Sequence, residues 1–213
     1  PNYYFMQARA VVLLNKDSKR SISYFKQKIA ANNLQKDAAQ YGLALAYIEG
    51  GEYKKANQLI SSLLSTNPFN SLFIYTDIEN DIAAKEYKSA LVKLKLQLKL
   101  NLRNYPLQSL LAEALWQNNQ YKASAKVLTE LSKQRKEDPA IWYKLAEVRG
   151  LAGDISGVHE ARAEYFVLIG AFDQAKKQLS FAADLLAYDF KQLSIINQRL
   201  IDIEQMEKTF RRL

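Results

Sequence analysis

The sequence lacks cysteine and contains few of the residues that build loops. Its 213 residues include no cysteine, seven glycines and four prolines. Without cysteine the chain has no disulfide, no thiolate nucleophile and no thiolate metal ligand. Glycine and proline concentrate in turns, and with 48% apolar residues the chain can bury a sizeable core. The composition therefore predicts an all-α fold with short connections.

Histidine is also scarce, which limits the chemistry available. The single histidine, His159, excludes a Cys–His pair and a two-histidine metal site. His159 and Glu160 are followed by Ala163, where a zinc protease helix has its second histidine. No glycine-rich phosphate loop or Gly-x-Ser-x-Gly motif occurs. We predict that this chain is not an enzyme, holds no metal or cofactor, and uses His159 as an ordinary helix residue.

Long apolar runs are absent too. No run reaches the length of about 18 apolar residues that a membrane helix needs. The chain starts at Pro1 without the charged and then apolar segments of a secretory signal. We expect a piece of a longer protein, with any targeting signal outside it.

Small residues and turn tyrosines recur at one constant spacing along the chain. The repeated positions are Ala10, Ala44, Ile78, Ala112 and Ala146; Tyr53, Tyr87 and Tyr121; and Gly51 and Gly153. Their spacing is that of the tetratricopeptide helix–turn–helix, about 34 residues, whose apolar face is buried only by stacking on neighbouring repeats. We predict an all-α, tetratricopeptide-type solenoid of helical hairpins with about five to six repeats.

The third repeat departs from this pattern. Asp77 and Asp81 stand where apolar residues are expected, and residues 93–102 alternate leucine with polar residues as a strand would. Because leucine, lysine and glutamine are good helix formers, we predict a helix there.

A turn signal comes early at Gly170, only half a repeat after Gly153. The helix near 156–168 should therefore serve as the second helix of one repeat and the first of the next. Apolar residues at 3–4 spacing then predict a helix that closes the stack. The predicted organisation is one solenoid over 1–213, with repeats roughly at 3–36, 37–70, 71–104, 105–138 and 139–172, a last overlapping unit at 156–188 and a capping helix at 189–213.

Two positions of each first helix are predicted to face the concave wall of the solenoid. The predicted wall residues are Tyr41, Tyr75 and Tyr143, with a ladder formed by Glu79, Glu113 and Glu147. A wall of this kind suits polypeptide segments with basic residues and apolar anchors. The alternative is that these residues form an ordinary solvent-exposed helix face that binds nothing. Some tetratricopeptide co-chaperones use lysines and asparagines at these positions to bind the C-terminal carboxylate of a partner. Those residues are missing here, so a carboxylate-clamp co-chaperone role is disfavoured.

The net charge of +8 is concentrated in two segments. Residues 1–34 and residues 85–103 each hold six basic residues and one acidic residue. In the second segment Lys88, Lys95, Lys99 and Arg103 fall within an arc of about 80° on a helix. This basic stripe is either a solvated face or a contact for an acidic partner. The alternative function is a basic module that binds nucleic acid or an anionic membrane surface. Nucleic acid is disfavoured because the predicted wall is acidic and lacks a stacking platform.

One part of the chain resembles a specific family. The similar segments are ARAEYFVLIGAFDQA over 161–175, Gln178-Leu179, Gln198-Arg199-Leu200, and YFMQARA over 4–10. Together they resemble the C-terminal repeat region of bacterial periplasmic zinc metalloproteases of the β-barrel assembly-enhancing type.

The resemblance implies a periplasmic recognition module attached to a protease domain. In that family a zinc-binding HExxH helix precedes the repeats, so zinc is expected only in that domain, and none of its catalytic residues matches a position here. The implied partners are the chain's own N-terminal protease domain, the outer-membrane assembly machinery and unfolded barrel proteins.

Overall fold

The computed structural model describes residues 2–15, 17–31 and 35–211, and this part of the chain forms twelve α-helices and no strand. It divides into two compact units, Pro1–Leu102 and Arg103–Leu213. The single solenoid over 1–213 stays a prediction.

The first unit contains three successive helical hairpins. Its helices are α1 (Asn2–Leu14), α2 (Ser18–Ala30), α3 (Lys36–Glu49), α4 (Tyr53–Thr66), α5 (Ser71–Ala83) and α6 (Tyr87–Leu100). Side chains cap several helix starts: the Asp17 carboxylate accepts hydrogen bonds from two N–H groups of α2, and the Asn70 amide oxygen accepts one from α5. The core surrounds α3, where Ala44 and Tyr47 are buried.

The second unit continues the same hairpins with one change. Its helices are α7 (Tyr105–Gln117), α8 (Tyr121–Gln134), α9 (Pro139–Leu151), α10 (Ile155–Leu168), α11 (Phe172–Leu185) and α12 (Phe190–Phe210). Helix α10 packs closely against both α9 and α11, as the early turn at Gly170 predicts, and α12 packs against α11. Arg212 and Leu213, the end of the predicted capping helix, lie outside the described residues.

Within the described residues, five turns between consecutive helices from α3 to α11 use a left-handed backbone. The residues with positive φ are Gly51 (74°), Lys85 (62°), Asn119 (58°), Gly153 (80°) and Gly170 (75°). The first four lie one repeat apart, so the sequence period is a repeat of backbone conformation as well as of residue type. Lys85 and Asn119 adopt this conformation despite the steric cost of a side chain.

The small positions after the first repeat are buried as the pattern predicts, whereas Ala10 of α1 is exposed. Ala44, Ala112 and Ala146 lie inside their units, where neighbouring helices approach closely. The helix expected over 93–102 forms but ends at Leu100. The prediction that Arg103 extends the basic stripe is therefore wrong, because Arg103 lies in the turn after α6.

The acidic residues of the third hairpin are explained by a lysine. Lys93 Nζ lies 2.7 Å from Asp77 Oδ2 and 2.8 Å from Asp81 Oδ2, and Ser89 Oγ donates to Asp81 Oδ2 at 2.6 Å. An ion cluster thus replaces the expected apolar contact between α5 and α6. No helix within the described ranges is both long and apolar enough to cross a membrane.

Candidate recognition surfaces

In the first unit, the predicted wall residues gather around Arg9 of α1. The Arg9 Nε donates to the Tyr41 hydroxyl at 3.1 Å and Nη2 donates to Thr76 Oγ1 at 2.9 Å. Nη1 and Nη2 also bind the Glu79 carboxylate at 3.1 and 2.6 Å. The guanidinium lies 5.5 Å from the centre of the Tyr75 ring. One cation therefore joins α1, α3 and α5.

This arrangement changes the role of two predicted contact residues. Burial lowers the pKa of Arg9, but the hydrogen bond and charge of Glu79 outweigh that effect and leave the pKa above its ordinary value. The Glu79 carboxylate is neutralised inside its own unit. Tyr41 is only 1% exposed, so the expectation that it contacts a partner is wrong for this structure. Its ring packs edge-on against Phe5 and belongs to the core.

In the second unit, Lys144 of α9 lies between the two predicted carboxylates. Its Nζ is 3.4 Å from Glu147 Oε2 and 3.9 Å from Glu113 Oε2. The same ammonium group lies 3.0 Å from the centre of the Trp116 ring, a cation–π contact. Glu113 also accepts a hydrogen bond from Gln117 Nε2 at 2.6 Å. Glu113 and Glu147 therefore do converge, but Lys144 partly offsets their charge.

An aromatic pair formed by an exposed and a half-buried tyrosine includes the residue before Lys144. Tyr143, one residue before Lys144, is 62% exposed. Its ring centre is 5.6 Å from that of Tyr165 on α10, in an edge-to-face arrangement. An exposed tyrosine held by a second ring offers a large contact area at a low entropy cost. Tyr143 is thus the most exposed of the three predicted wall tyrosines.

Three residues of the predicted basic stripe lie on α6. Lys88, Lys95 and Lys99 are all exposed. None of the three forms an ion pair with another residue in the described part of the chain.

Sequence reasoning missed the cations at both clusters. Lys144 could have been found, because a lysine three residues before Glu147 on a helix is a recognisable pair. Arg9 could not, because its carboxylate partner is 70 residues away. Trp116 and Tyr165 are aromatic residues that no pattern distinguished from core.

The described residues show no grouping of three or more His, Cys, Asp or Glu side chains that could hold a metal ion. His159 Nδ1 lies 2.8 Å from Gln178 Oε1, a contact between α10 and α11.

Comparison with known proteins identifies the repeats. Residues 81–148 match the family model described as tetratricopeptide repeat. The chain is 29% identical over 212 residues to the beta-barrel assembly-enhancing protease of Escherichia coli K12, covering 99% of this chain and 43% of that protein. The protein of the same name from Yersinia pestis is 27% identical over 214 residues, covering 99% and 44%. The predicted resemblance is confirmed, and the chain spans less than half the length of these relatives.

Two solved structures show the same fold. MamA from residue 41 of Desulfovibrio magneticus RS-1 matches with a TM-score of 0.60 and 16% identity, over 79% of this chain and 97% of that one. A tetratricopeptide repeat protein from Parabacteroides merdae ATCC 43184 matches with a TM-score of 0.57 and 14% identity, over 94% and 85%. The predicted fold class is confirmed. Tetratricopeptide stacks typically bind other proteins along the extended surfaces that they present.

Proposed function

We propose that the chain is the non-catalytic recognition module of a periplasmic zinc metalloprotease of the β-barrel assembly-enhancing type. It recruits unfolded barrel proteins or components of the outer-membrane assembly machinery. Similarity along 99% of the chain to relatives named beta-barrel assembly-enhancing protease carries this proposal. Because the chain spans 43% of their length, peptide cleavage and the zinc belong to the remainder of such a protein.

The second unit offers the best surface for recruitment. Tyr143 supplies an apolar anchor, and Tyr165 holds its ring in place. Glu147 is partly exposed beside it and shares Lys144 with Glu113. A basic side chain of an incoming segment can compete with Lys144 for these carboxylates. This combination suits an extended polypeptide that alternates aromatic and polar residues.

The anchor is tested with an unfolded outer-membrane β-barrel protein diluted from urea onto the immobilised chain. We expect Tyr143→Ala to speed dissociation about tenfold, since an aromatic anchor acts mainly in the docked state. Tyr188→Ala is the matched control, because Tyr188 is an almost fully exposed tyrosine of the same unit. Equal dissociation rates for the parent and Tyr143→Ala would rule out this surface.

The carboxylates are tested by charge reversal. Glu113→Lys combined with Glu147→Lys should slow association more than it speeds dissociation, if these charges steer the partner. Glu137→Lys with Glu204→Lys makes the same charge change at exposed positions elsewhere in the unit. If both pairs slow association equally, net charge and not this surface governs the encounter.

A further inference from the structure

Two inward positions of α6 are polar and three outward positions are apolar, the opposite of the equivalent positions on α4 and α8, although the buried Ala90 and Leu94 keep an apolar core on the inward side. Inward, α6 has Lys93 and Gln97, and one repeat to either side these positions are apolar. Outward, the residues are Val92, Leu96 and Leu100 on α6, Gln58, Ser62 and Thr66 on α4, and Lys126, Glu130 and Gln134 on α8. Of these three helices, only α6 turns an apolar stripe away from its own hairpin.

This apolar stripe is open to solvent. Val92 is 59% exposed, Leu96 56% and Leu100 83%. The equivalent side chains of α4 and α8 are exposed as well, although α5 packs on α4 and α9 packs on α8. The position therefore remains outside when a following helix packs against the hairpin. Packing of the repeats does not account for apolar residues there.

Three lysines line one edge of the apolar stripe. On a helix, Lys88, Lys95 and Lys99 fall within about 60° of Val92 and on the same side of it. Residues 87–100 contain no aspartate or glutamate. Lys93 is turned inward to Asp77 and Asp81, which leaves the three outward lysines to attract an external anion.

We propose that the outward face of α6 docks on an anionic lipid surface. Amphipathic helices at a bilayer place their apolar side chains at the boundary of headgroups and acyl chains, while flanking lysines bind anionic headgroups. A protein partner is less suited. A stable protein interface buries about 800 Å² on each side around a pocketed anchor, whereas the exposed apolar stripe consists of three side chains on one helix. A bilayer needs no complementary pocket.

The test is flotation of the 213-residue chain with vesicles. Vesicles of phosphatidylcholine and phosphatidylglycerol in equal parts are compared with phosphatidylcholine alone. We expect binding to the anionic vesicles only, weakened by salt. Val92→Gln with Leu96→Ser and Leu100→Thr, which copies α4 onto α6, should weaken binding at least about tenfold. Thermal unfolding checks that this variant folds.

The lysines need a control for net charge. Lys95→Gln with Lys99→Gln should weaken binding at least about tenfold. Lys122→Gln with Lys126→Gln removes the same charge from α8 and should leave binding nearly unchanged. Equal weakening by the two pairs, or full binding by the apolar variant, would overturn the proposal.

Because the chain has no cysteine, a single introduced cysteine can carry a dye that reports direct contact with the bilayer. A polarity-sensitive dye on Leu96→Cys should shift to the blue when anionic vesicles are added. The same dye on Ser62→Cys, the equivalent position of α4, should not shift. A chain that ignores vesicles, but whose α6 face binds an acidic protein, would show that the partner is a protein and the lipid proposal is wrong.

Discussion

Arg9 and Glu79, 70 residues apart in the sequence, form a two-pronged ion pair that joins α1 to α5 across the hydroxyl of Tyr41. The pair lies near the surface of the first unit but is mostly covered, with side-chain exposures of 20% and 26%. It connects the first hairpin to the third. We therefore expect the pair to stabilise the unit.

Arg9→Ala should lower the free energy of unfolding by about 2 kcal/mol, between the values typical of exposed and buried ion pairs. The loss arises because the Glu79 carboxylate stays partly buried without its cation. Urea unfolding followed by circular dichroism measures the change. Arg20→Ala, at an exposed arginine that only loosely contacts Asp17, should change stability by less than about 0.5 kcal/mol. If both variants lower the free energy of unfolding equally, the Arg9 network stabilises the unit no more than an exposed arginine does.

The ion cluster in the third hairpin predicts opposite effects for partial and complete replacement. Lys93→Val leaves Asp77 and Asp81 largely buried without a cation, which should cost about 3 kcal/mol. The triple variant Asp77→Leu, Asp81→Leu, Lys93→Val uses the residues found one repeat later and should recover at least the parent's stability. The urea midpoints of unfolding of the two variants measure these effects. A triple variant that is no more stable than Lys93→Val would contradict this explanation.

Lys85 adopts a left-handed backbone that a glycine would occupy without steric cost. Lys85→Gly should therefore raise the free energy of unfolding by about 0.5–1 kcal/mol. The same change within α6, Lys95→Gly, should instead lower it by about 1 kcal/mol. Melting temperatures that shift in the same direction for both variants would refute the backbone explanation.

Ala112 lies at the contact between α7 and α8. It is buried on α7, and Ser124 Oγ of α8 donates to its carbonyl oxygen at 2.7 Å. Ala112→Leu should cost about 1–3 kcal/mol by overpacking. Ala123→Leu, on the exposed side of α8, should stay within about 0.5 kcal/mol. An unchanged melting temperature for Ala112→Leu would show that the helices separate more easily than their spacing suggests.

Glu160 should give the second unit a recognisable pH dependence. Burial raises the pKa of this carboxyl, Arg149 opposes the shift, and Asp154 and Glu164 add to it. The folded state then holds the proton to a higher pH than the unfolded state, so stability falls as pH rises through the raised pKa. Glu160→Gln should raise the melting temperature at neutral pH and lose that advantage below the ordinary glutamate pKa. Glu137→Gln, at an exposed site, is the matched control for removing one carboxylate.

Much of the fold follows from local pattern. The recurring alanines and left-handed turn residues place the starts of α5, α7 and α9 one repeat apart, at Ser71, Tyr105 and Pro139. The early Gly170 turn gives α10 its two neighbours. Each helix and each turn is specified by residues close together in the sequence. The pattern of those residues is therefore visible without a structure.

The candidate site was only partly predictable. Tyr41 and Tyr143 occupy the same repeat position, yet one ring is buried and the other is mostly exposed. The difference comes from neighbouring helices, because Arg9 and Phe5 of α1 cover Tyr41. A repeat position specifies the face of a helix but not what packs over it.

The sequence alone therefore determined the hairpins, their turns, the shared helix and the absence of cysteine chemistry, since each depends on residue type and short-range spacing. Only the tertiary structure decided that Arg9 neutralises Glu79, that Lys144 also approaches Glu113 of the preceding repeat, and that Val92, Leu96 and Leu100 face solvent. The physical reason is distance: side chains pair and bury through helix packing, which joins residues separated by whole repeats and leaves no local signature.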